Sequence, residues 1–229
     1  MLAVLPATAR AQDGPVTAYV DAVDAWATAA RLQQLLPNSG RAGESARRRK
    51  RVPKATPKQL RRLRFHRRAS VTQRNVEAVA AQLPGVDPAI VAADIERNRA
   101  LAHRRIRSFH WSKNNLADVA AFALLSAYSA YHDRDGLSAR GSRAVRRAAR
   151  NGLARSRALR RVSAREKQTA AEMTEVRMIY AIAELLRARA SGDSADVSIA
   201  ESEIRIWVRD VYHLDVETVR LRSRGFRSR

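Results

Sequence analysis

The chain has 229 residues, with 44 Lys and Arg against 22 Asp and Glu, a formal net charge of +22 and no cysteine. The length provides for one ordinary domain with tails, and the absence of cysteine excludes disulfides, cysteine-ligated zinc and thiol nucleophiles. Alanine dominates the apolar residues and aromatic residues make up only 5%. This composition predicts a core of helices that pack closely through small side chains.

The excess positive charge lies in two segments. Residues 41–68 contain 13 Lys and Arg and one Glu, and residues 140–167 contain 11 and one Glu. The remaining residues carry equal numbers of basic and acidic groups. A core does not need this charge, so the two segments indicate either an anionic partner or a solvated tether. Arginine outnumbers lysine 39 to 5, which fits phosphate recognition and also a GC-rich coding sequence.

The first residues resemble the end of a secretory signal. A short apolar run from Leu2 to Thr8 is followed by the small residues Ala9 and Ala11 around Arg10. Small residues in this spacing are typical of a cleavage site. We therefore expect residues 1–11 to be the remnant of a signal and the protein to be periplasmic or secreted. If Met1 is the true start, the location is cytoplasmic.

A tethered helix is predicted next. Apolar residues recur at steps of three and four between residues 12–36, for example at Val16, Val20 and Val23, which indicates an amphipathic helix. Residues 37–62 have few apolar groups and are predicted to be a basic disordered linker. The most basic run of this linker, and the first candidate anion-binding set, is Arg47, Arg48, Arg49, Lys50 and Arg51.

Clear helix-start signals follow from residue 63 onward. Ser70 and Gln73 form a possible capping box for a helix that ends near Leu83. Asp87 and Pro88 are typical of a second helix start, with that helix reaching about residue 107. Asn115, with Asp118 three residues later, predicts the start of a strongly apolar helix that we expect to be central and most buried.

Three more helices complete the domain. A basic helix is predicted from about Ser142 to Leu159, and a capping box of Ser163 and Glu166 begins the longest helix, which ends at Ser191–Gly192. A last helix spans residues 195–212. No segment alternates with a period of two for long enough to predict a sheet. Residues 63–226 are therefore predicted to form an all-α domain, an irregular or orthogonal bundle of about five to six helices with a tethered N-terminal helix.

Several short motifs carry a resemblance to a known family. They are Leu63-Arg64-Phe65, Asn114-Asn115-Leu116-Ala117-Asp118, Lys167-Gln168 with Glu172, and Leu221 to Gly225-Phe226. Their order resembles an uncharacterised family of helical bacterial proteins whose members commonly carry export signals. The resemblance implies a helical fold and export, and it transfers no catalytic role. We interpret the motif residues as structural: Asn114, Asn115, Asp118, Lys167, Gln168 and Glu172.

Pairs of polar residues give weak indications of catalysis or metal binding. His103 and His110 share a helix face if their helix continues, but a metal site needs further ligands. Tyr128 and His132 fit aromatic stacking at a helix end better than an acid/base pair. Glu172 and Glu175 lie one helical turn apart. A site for two metal ions would need a second pair of carboxylates, and none flanks these two residues. Asn114, Asn115 and Asp118 fit helix capping, with a ligand site as the alternative. We expect no catalytic residue, metal, cofactor or transmembrane segment, and hence no enzyme.

A second set of arginines is predicted on one face of the basic helix: Arg143, Arg147, Arg150, Arg157 and Arg161. With the linker arginines they suggest a surface for anionic lipid or polysaccharide of the cell envelope, where clustered charge is enough. Nucleic acid is the alternative, although no aromatic residues alternate with these arginines to stack on bases. A solvated helix face without a partner is the third interpretation.

Overall fold

The computed structural model describes residues 54–81, 86–134 and 136–228. These residues form a bundle of seven α-helices with a small C-terminal hairpin, which confirms the all-α prediction. The segments predicted as a signal remnant and a tethered helix, residues 1–36, lie outside the described residues. None of the helices in the described part of the chain is both long enough and apolar enough to cross a bilayer.

The elements are numbered in chain order. They are α1 (Pro57–Arg61), α2 (Ala69–Ala80), α3 (Pro88–Ser108), α4 (Leu116–Tyr131), α5 (Ala139–Arg155), a short 3₁₀ helix (Ala158–Arg161), α6 (Ala164–Ser191), α7 (Ser194–Tyr212), β1 (Val219–Arg222) and β2 (Gly225–Ser228).

Helix α4 is the centre of the bundle, as its sequence predicts. Twelve of its 16 residues are buried, and it packs on α5, α6 and α7. Ala117 and Ala127 of α4 are fully buried, and so are Ala171 and Ala188 of α6. Small side chains at these positions allow the helix axes to approach closely, in agreement with the alanine-rich composition.

A second, smaller core lies between α2, α3 and α6. Its buried members are Val76, Val79, Ala80, Val91, Ile95, Met173 and Val176. This core joins the N-terminal helices of the domain to the middle of α6.

Most helix ends agree with the sequence signals. The Asp87 carboxylate accepts a hydrogen bond from the Ala89 backbone N–H, and Asn115 accepts from two N–H groups of the first turn of α4. The capping box of Ser163 and Glu166 is present at the start of α6. Gly192 ends α6 with φ of +74°, a left-handed conformation that glycine adopts without steric cost.

The predicted capping box at Ser70 is wrong. Helix α2 begins at Ala69, and its N-cap residue Arg68 makes no side-chain capping bond. Instead, the Gln168 amide on α6 accepts from the Arg68 N–H and donates to the Arg68 carbonyl, both at 2.9 Å. A tertiary hydrogen bond therefore replaces the local cap, a substitution that sequence spacing does not reveal. The helix ends at Ala80, before the predicted end at Leu83, which lies outside the described residues.

The basic helix is also shifted. It begins at Ala139, where the Ser138 hydroxyl caps the Gly141 N–H, and it ends at Arg155 instead of Leu159. The predicted first residue, Ser142, is buried inside the helix. Because the chain leaves the α-helix at Ser156, the residues that follow do not extend the face of α5.

The C-terminal end of the predicted linker is ordered. Thr56 and Gln59 form a capping box that begins the short helix α1. Ala55 and Leu60 pack against the main core, and the Ala55 backbone N–H donates to Asn151 Oδ1 on α5 at 3.2 Å. Burial of Leu60 and this tertiary bond order a segment whose composition is polar, so the folded domain begins before residue 63.

The C-terminal hairpin was not predicted. Strands β1 and β2 are antiparallel, and their register pairs Leu221 with Phe226 on the inner face. Phe226 packs on Tyr128 of α4, with ring centroids 5.0 Å apart, and the Leu221 N–H donates to the Tyr128 hydroxyl. The strands are only four residues long, too short to show a convincing period-two pattern.

Candidate functional site: a buried ionic cluster and an exposed basic surface

Two acidic residues of α6 lie at the centre of a buried ionic cluster. Glu172 and Glu175 are one helical turn apart, with relative exposures of 1% and 0%. Their partners come from the segment before α2, from α2 and α3, and from α6 itself: Arg67, Thr72, Asn75, Arg99, His103 and Gln168. We call this set the ionic cluster.

Glu172 accepts hydrogen bonds on both carboxylate oxygens. Asn75 Nδ2 donates to Oε2 at 2.6 Å, while Thr72 Oγ1 and Gln168 Nε2 donate to Oε1 at 2.8 Å and 3.0 Å. Guanidinium groups of Arg67 and Arg99 reach the same Oε1, each at 2.9 Å. Every oxygen of this buried carboxylate is therefore satisfied, as burial of a charge requires.

Glu175 pairs with three basic side chains. Arg67 Nη2 lies 2.6 Å from Oε1, Arg99 Nε lies 3.2 Å from Oε2, and His103 Nε2 is 3.1 Å from both oxygens. Burial alone would raise the pKa of Glu175. The hydrogen bond with His103 and the charges of Arg67 and Arg99 outweigh burial and lower its pKa below the ordinary value.

The geometry of the ionic cluster indicates a structural role. Arg67 and Arg99 each contact both glutamates, and Arg67 also donates to the Lys113 carbonyl at 2.9 Å. Two arginines face two glutamates, and the ionic cluster connects α6 with α2 and α3, which lie far from α6 in sequence. In the part of the chain that the structure describes, no group of three or more His, Cys, Asp or Glu side chains is arranged to hold a metal.

Asp118 has a different role from capping. It is fully buried and accepts from the Ser112 backbone N–H at 2.9 Å. The guanidinium groups of Arg146 and Arg150 each bind its two oxygens, at 2.7 to 2.8 Å. Burial would raise the pKa of Asp118, and the hydrogen bonds from these arginines lower it below the ordinary value. Asn115 is the true cap, and the Asn114 carbonyl accepts from the Phe65 N–H at 3.1 Å.

The remaining polar pairs are either apart or have structural partners. Helix α3 ends at Ser108, so His110 does not share a helix face with His103, which faces Glu175. The rings of Tyr128 and His132 stack edge to face with centroids 4.5 Å apart. His132 Nε2 is 3.0 Å from the Val216 carbonyl, so both rings have structural partners at the end of α4.

The predicted arginine face of the basic helix is incomplete. Arg143 and Arg147 are exposed on α5. Arg150 turns inward to Asp118, so its assignment to an anion-binding face is corrected. Arg157 and Arg161 lie beyond the end of α5, at the 3₁₀ helix, and are exposed there. The linker candidates Arg47 to Arg51 lie outside the described residues.

The fold brings the two basic segments together. Helix α1 packs on α5, so the two segments meet. Partial burial and the charge of Arg62 lower the pKa of Lys167. On α5, Arg140, Ala144, Arg147 and Asn151 follow at steps of four, three and four residues, so they share one helix face. Asn151 binds Ala55 just before α1, and Ala144 faces the hairpin at Gly225.

Four arginines of the hairpin add a third basic group that the charge count did not reveal. Arg220, Arg222, Arg224 and Arg227 are exposed, and the hairpin packs directly on α5. A methyl group at Gly141 would come within 3.0 Å of the Arg222 carbonyl oxygen. Val219, Arg220, Leu221 and Arg222 alternate between apolar and basic, but four residues are too few for this alternation to predict a strand.

We call a set of exposed basic side chains around α1, on α5 and on the hairpin the basic surface. They are Lys54, Lys58 and Arg61 around α1, Arg140, Arg143 and Arg147 on α5, and Arg220, Arg222, Arg224 and Arg227 on the hairpin. Within the described residues, none of these ten side chains forms a salt bridge with a carboxylate. Each of these ten side chains therefore carries a charge that no carboxylate among the described residues matches.

Comparisons with known proteins do not extend these observations: no family model, no curated protein and no solved structure matches the chain.

Proposed function

We propose that this chain is a non-enzymatic helical protein whose basic surface binds anionic components of a bacterial cell envelope. The observation that carries the proposal is the set of ten exposed basic side chains without a carboxylate partner among the described residues. Two of the three groups come from segments that the sequence identifies as strongly basic. Helix α1 and the hairpin both pack on α5, so all three groups lie beside one helix.

Internal pairing of the acidic residues supports a binding role over a catalytic one. Glu172 and Glu175 are engaged by the ionic cluster, and Asp118 is held by Arg146 and Arg150. These carboxylates therefore stabilise the fold with pairs that a substrate would have to break. Among the described residues, the ten side chains of the basic surface form no such ion pairs.

The envelope is proposed as the location because of the N-terminal residues. The run from Leu2 to Thr8 with Ala9 and Ala11 resembles a signal cleavage site. The motif resemblance to a family of exported helical bacterial proteins points the same way. Anionic lipid and polysaccharide are the polyanions that an exported protein meets, and clustered arginine binds them without sequence readout.

Binding of the full chain to vesicles tests the proposal. Vesicles that contain phosphatidylglycerol should bind the protein, and phosphatidylcholine vesicles should not. Each Lys or Arg near an anionic membrane contributes about 1 kcal/mol. The triple variant Arg140→Gln, Arg143→Gln, Arg147→Gln should therefore lose affinity on the order of 100-fold.

A matched control separates position from net charge. Arg97, Arg104 and Arg107 are exposed on α3, so replacing them with Gln removes the same charge from another element. The α3 triple variant should bind nearly as well as the wild type. Equal losses in the two triple variants would show that only net charge matters and would contradict a defined basic surface.

Duplex DNA provides the comparison with the nucleic-acid alternative. Binding that depends on the basic surface should be weak for DNA, independent of its sequence and lost as salt rises, because exposed charges are screened beyond about 8 Å at physiological ionic strength. Tight binding to one DNA sequence that persists at high salt would replace the envelope proposal with the nucleic-acid one.

A further inference from the structure

Two arginines of the hairpin face each other directly. The register of β1 and β2 pairs Arg220 with Arg227, and both residues are exposed. Directly opposite residues in an antiparallel pair have Cβ atoms about 4.5 to 5.5 Å apart. Like charges at this separation are unfavourable, and neither arginine has a carboxylate partner among the described residues.

The fold holds this unfavourable pair in place. Leu221 and Phe226 occupy the inner face of the hairpin, and Phe226 packs on Tyr128. The turn needs Gly225, whose φ of +98° lies in the left-handed region. These interactions determine the register independently of the outer face, so Arg220 and Arg227 stay opposite each other whether or not an anion is present.

We propose that Arg220 and Arg227 together bind one phosphate monoester group of a membrane lipid, with Arg222 and Arg224 next to it on the same hairpin. The inference rests on the proposed function and specifies its ligand. A guanidinium group presents a planar fork of donors that fits phosphate oxygens. Two such forks on one side of a hairpin can bind different oxygens of the same phosphate group.

Charge balance favours a monoester over a diester. A phosphate monoester carries about −1.5 to −2 charges at pH 7, whereas a phosphodiester carries only one. Two facing guanidinium groups supply two positive charges, so a monoester neutralises the pair and a diester leaves about half of it unmatched. The remaining basic surface then contacts the surrounding anionic lipid without distinguishing headgroups.

The test compares vesicles of two compositions with the full chain. Phosphatidylcholine vesicles contain either phosphatidic acid, a monoester, or phosphatidylglycerol, a diester, in amounts that give the same surface potential. The wild type should bind the phosphatidic acid vesicles about tenfold more tightly, since hydrogen bonds to charged groups are worth more than screened surface charge. Equal affinity for the two vesicles would overturn the inference and leave the proposed function intact.

Two hairpin variants and one control test whether Arg220 and Arg227 cause the preference for phosphatidic acid. The double variant Arg220→Gln, Arg227→Gln should lose the preference for phosphatidic acid. The double variant Arg220→Lys, Arg227→Lys should keep part of the preference, because lysine keeps the two charges that a monoester neutralises and loses the planar donor fork. The control double variant Arg97→Gln, Arg104→Gln should keep the preference.

The outcomes separate the two proposals. If the Arg220→Gln, Arg227→Gln variant keeps the preference, phosphate binding by these two arginines is refuted and the proposed function is not. If the wild type binds neither anionic vesicle, both the proposed function and phosphate binding by the two arginines are refuted. Far-UV circular dichroism and thermal melting of each variant, together with the Lys variant, distinguish a lost ligand contact from a lost hairpin.

Discussion

Arginine occurs in both the ionic cluster and the basic surface, but it is paired with carboxylates in the first and, among the described residues, unpaired in the second. In the ionic cluster, Arg67 and Arg99 each contact two carboxylates at 2.6 to 3.2 Å. On the hairpin, Arg220 and Arg227 face each other without an acid. Burial makes an unpaired charge expensive, and Arg67 and Arg99 accordingly have carboxylate partners. Exposed arginines are stabilised by water and salt, which leaves their charge available to an external anion.

The largest expected effect comes from breaking the ionic cluster. Glu175→Gln removes the charge that Arg67, Arg99 and His103 face and leaves the two guanidinium groups with Glu172 as their remaining carboxylate partner. Removing one partner of a buried ion pair costs about 3 to 5 kcal/mol. Chemical denaturation at neutral pH should therefore show a free energy of unfolding lower by that amount.

An exposed ion pair provides the control for this variant. Glu217 pairs with Arg205, and both side chains are nearly half exposed. Glu217→Gln should lower the free energy of unfolding by less than about 1 kcal/mol. A similar loss in both variants would show that burial of the ionic cluster does not strengthen its contribution.

The second largest effect is expected from acid, which should lower the free energy of unfolding. The pKa values of Glu175 and Asp118 lie below their ordinary values of 4.5 and 3.8. The unfolded chain therefore binds protons at these groups first, and stability falls as pH decreases from about 4.5. Denaturant titrations from pH 7 to pH 3 should show this fall, and the fall should be smaller in Glu175→Gln. Unchanged acid sensitivity in that variant would contradict the lowered pKa of Glu175.

A smaller effect is expected at the start of α6, the helix that carries the ionic cluster. Ser163 Oγ accepts the Glu166 N–H at 3.2 Å, and the Glu166 carboxylate accepts the Ser163 N–H at 2.8 Å. Ser163→Ala should lower the free energy of unfolding by about 1 kcal/mol, the usual cost of a lost cap. Ser70→Ala serves as the control and should have no comparable effect, because Ser70 does not cap α2.

The smallest expected effect is a stabilisation at the hairpin. Arg227→Glu converts the facing arginines into an opposite-charge pair and should raise the free energy of unfolding by about 0.2 to 1 kcal/mol. Arg97→Glu on α3 makes the same change in net charge at another exposed site. Thermal melting that shows equal shifts for the two variants would mean that Arg220 and Arg227 do not repel each other in the folded protein.

The helix starts at Asp87, Asn115 and Ser163 were predictable, because a cap is a local interaction within a few residues. The start of α2 was not, since the Gln168 amide replaces a local cap from 100 residues away. The hairpin was also missed, because its strands are short and it is held in place by contacts with Tyr128 and Gly141, which are distant in sequence. Local patterns thus indicate most helices and leave their tertiary supports undetermined.

The sequence by itself determined the all-α class, the apolar character of α4 and the two basic segments, since composition and periodicity are properties of the chain. Only the tertiary structure decided what each charge does. It turned Arg150 inward to Asp118, matched Glu172 and Glu175 with Arg67 and Arg99, and placed the hairpin arginines beside α5. The physical reason is that the partner of a charge depends on burial and distance in the folded protein, and residues close in space are often distant in sequence.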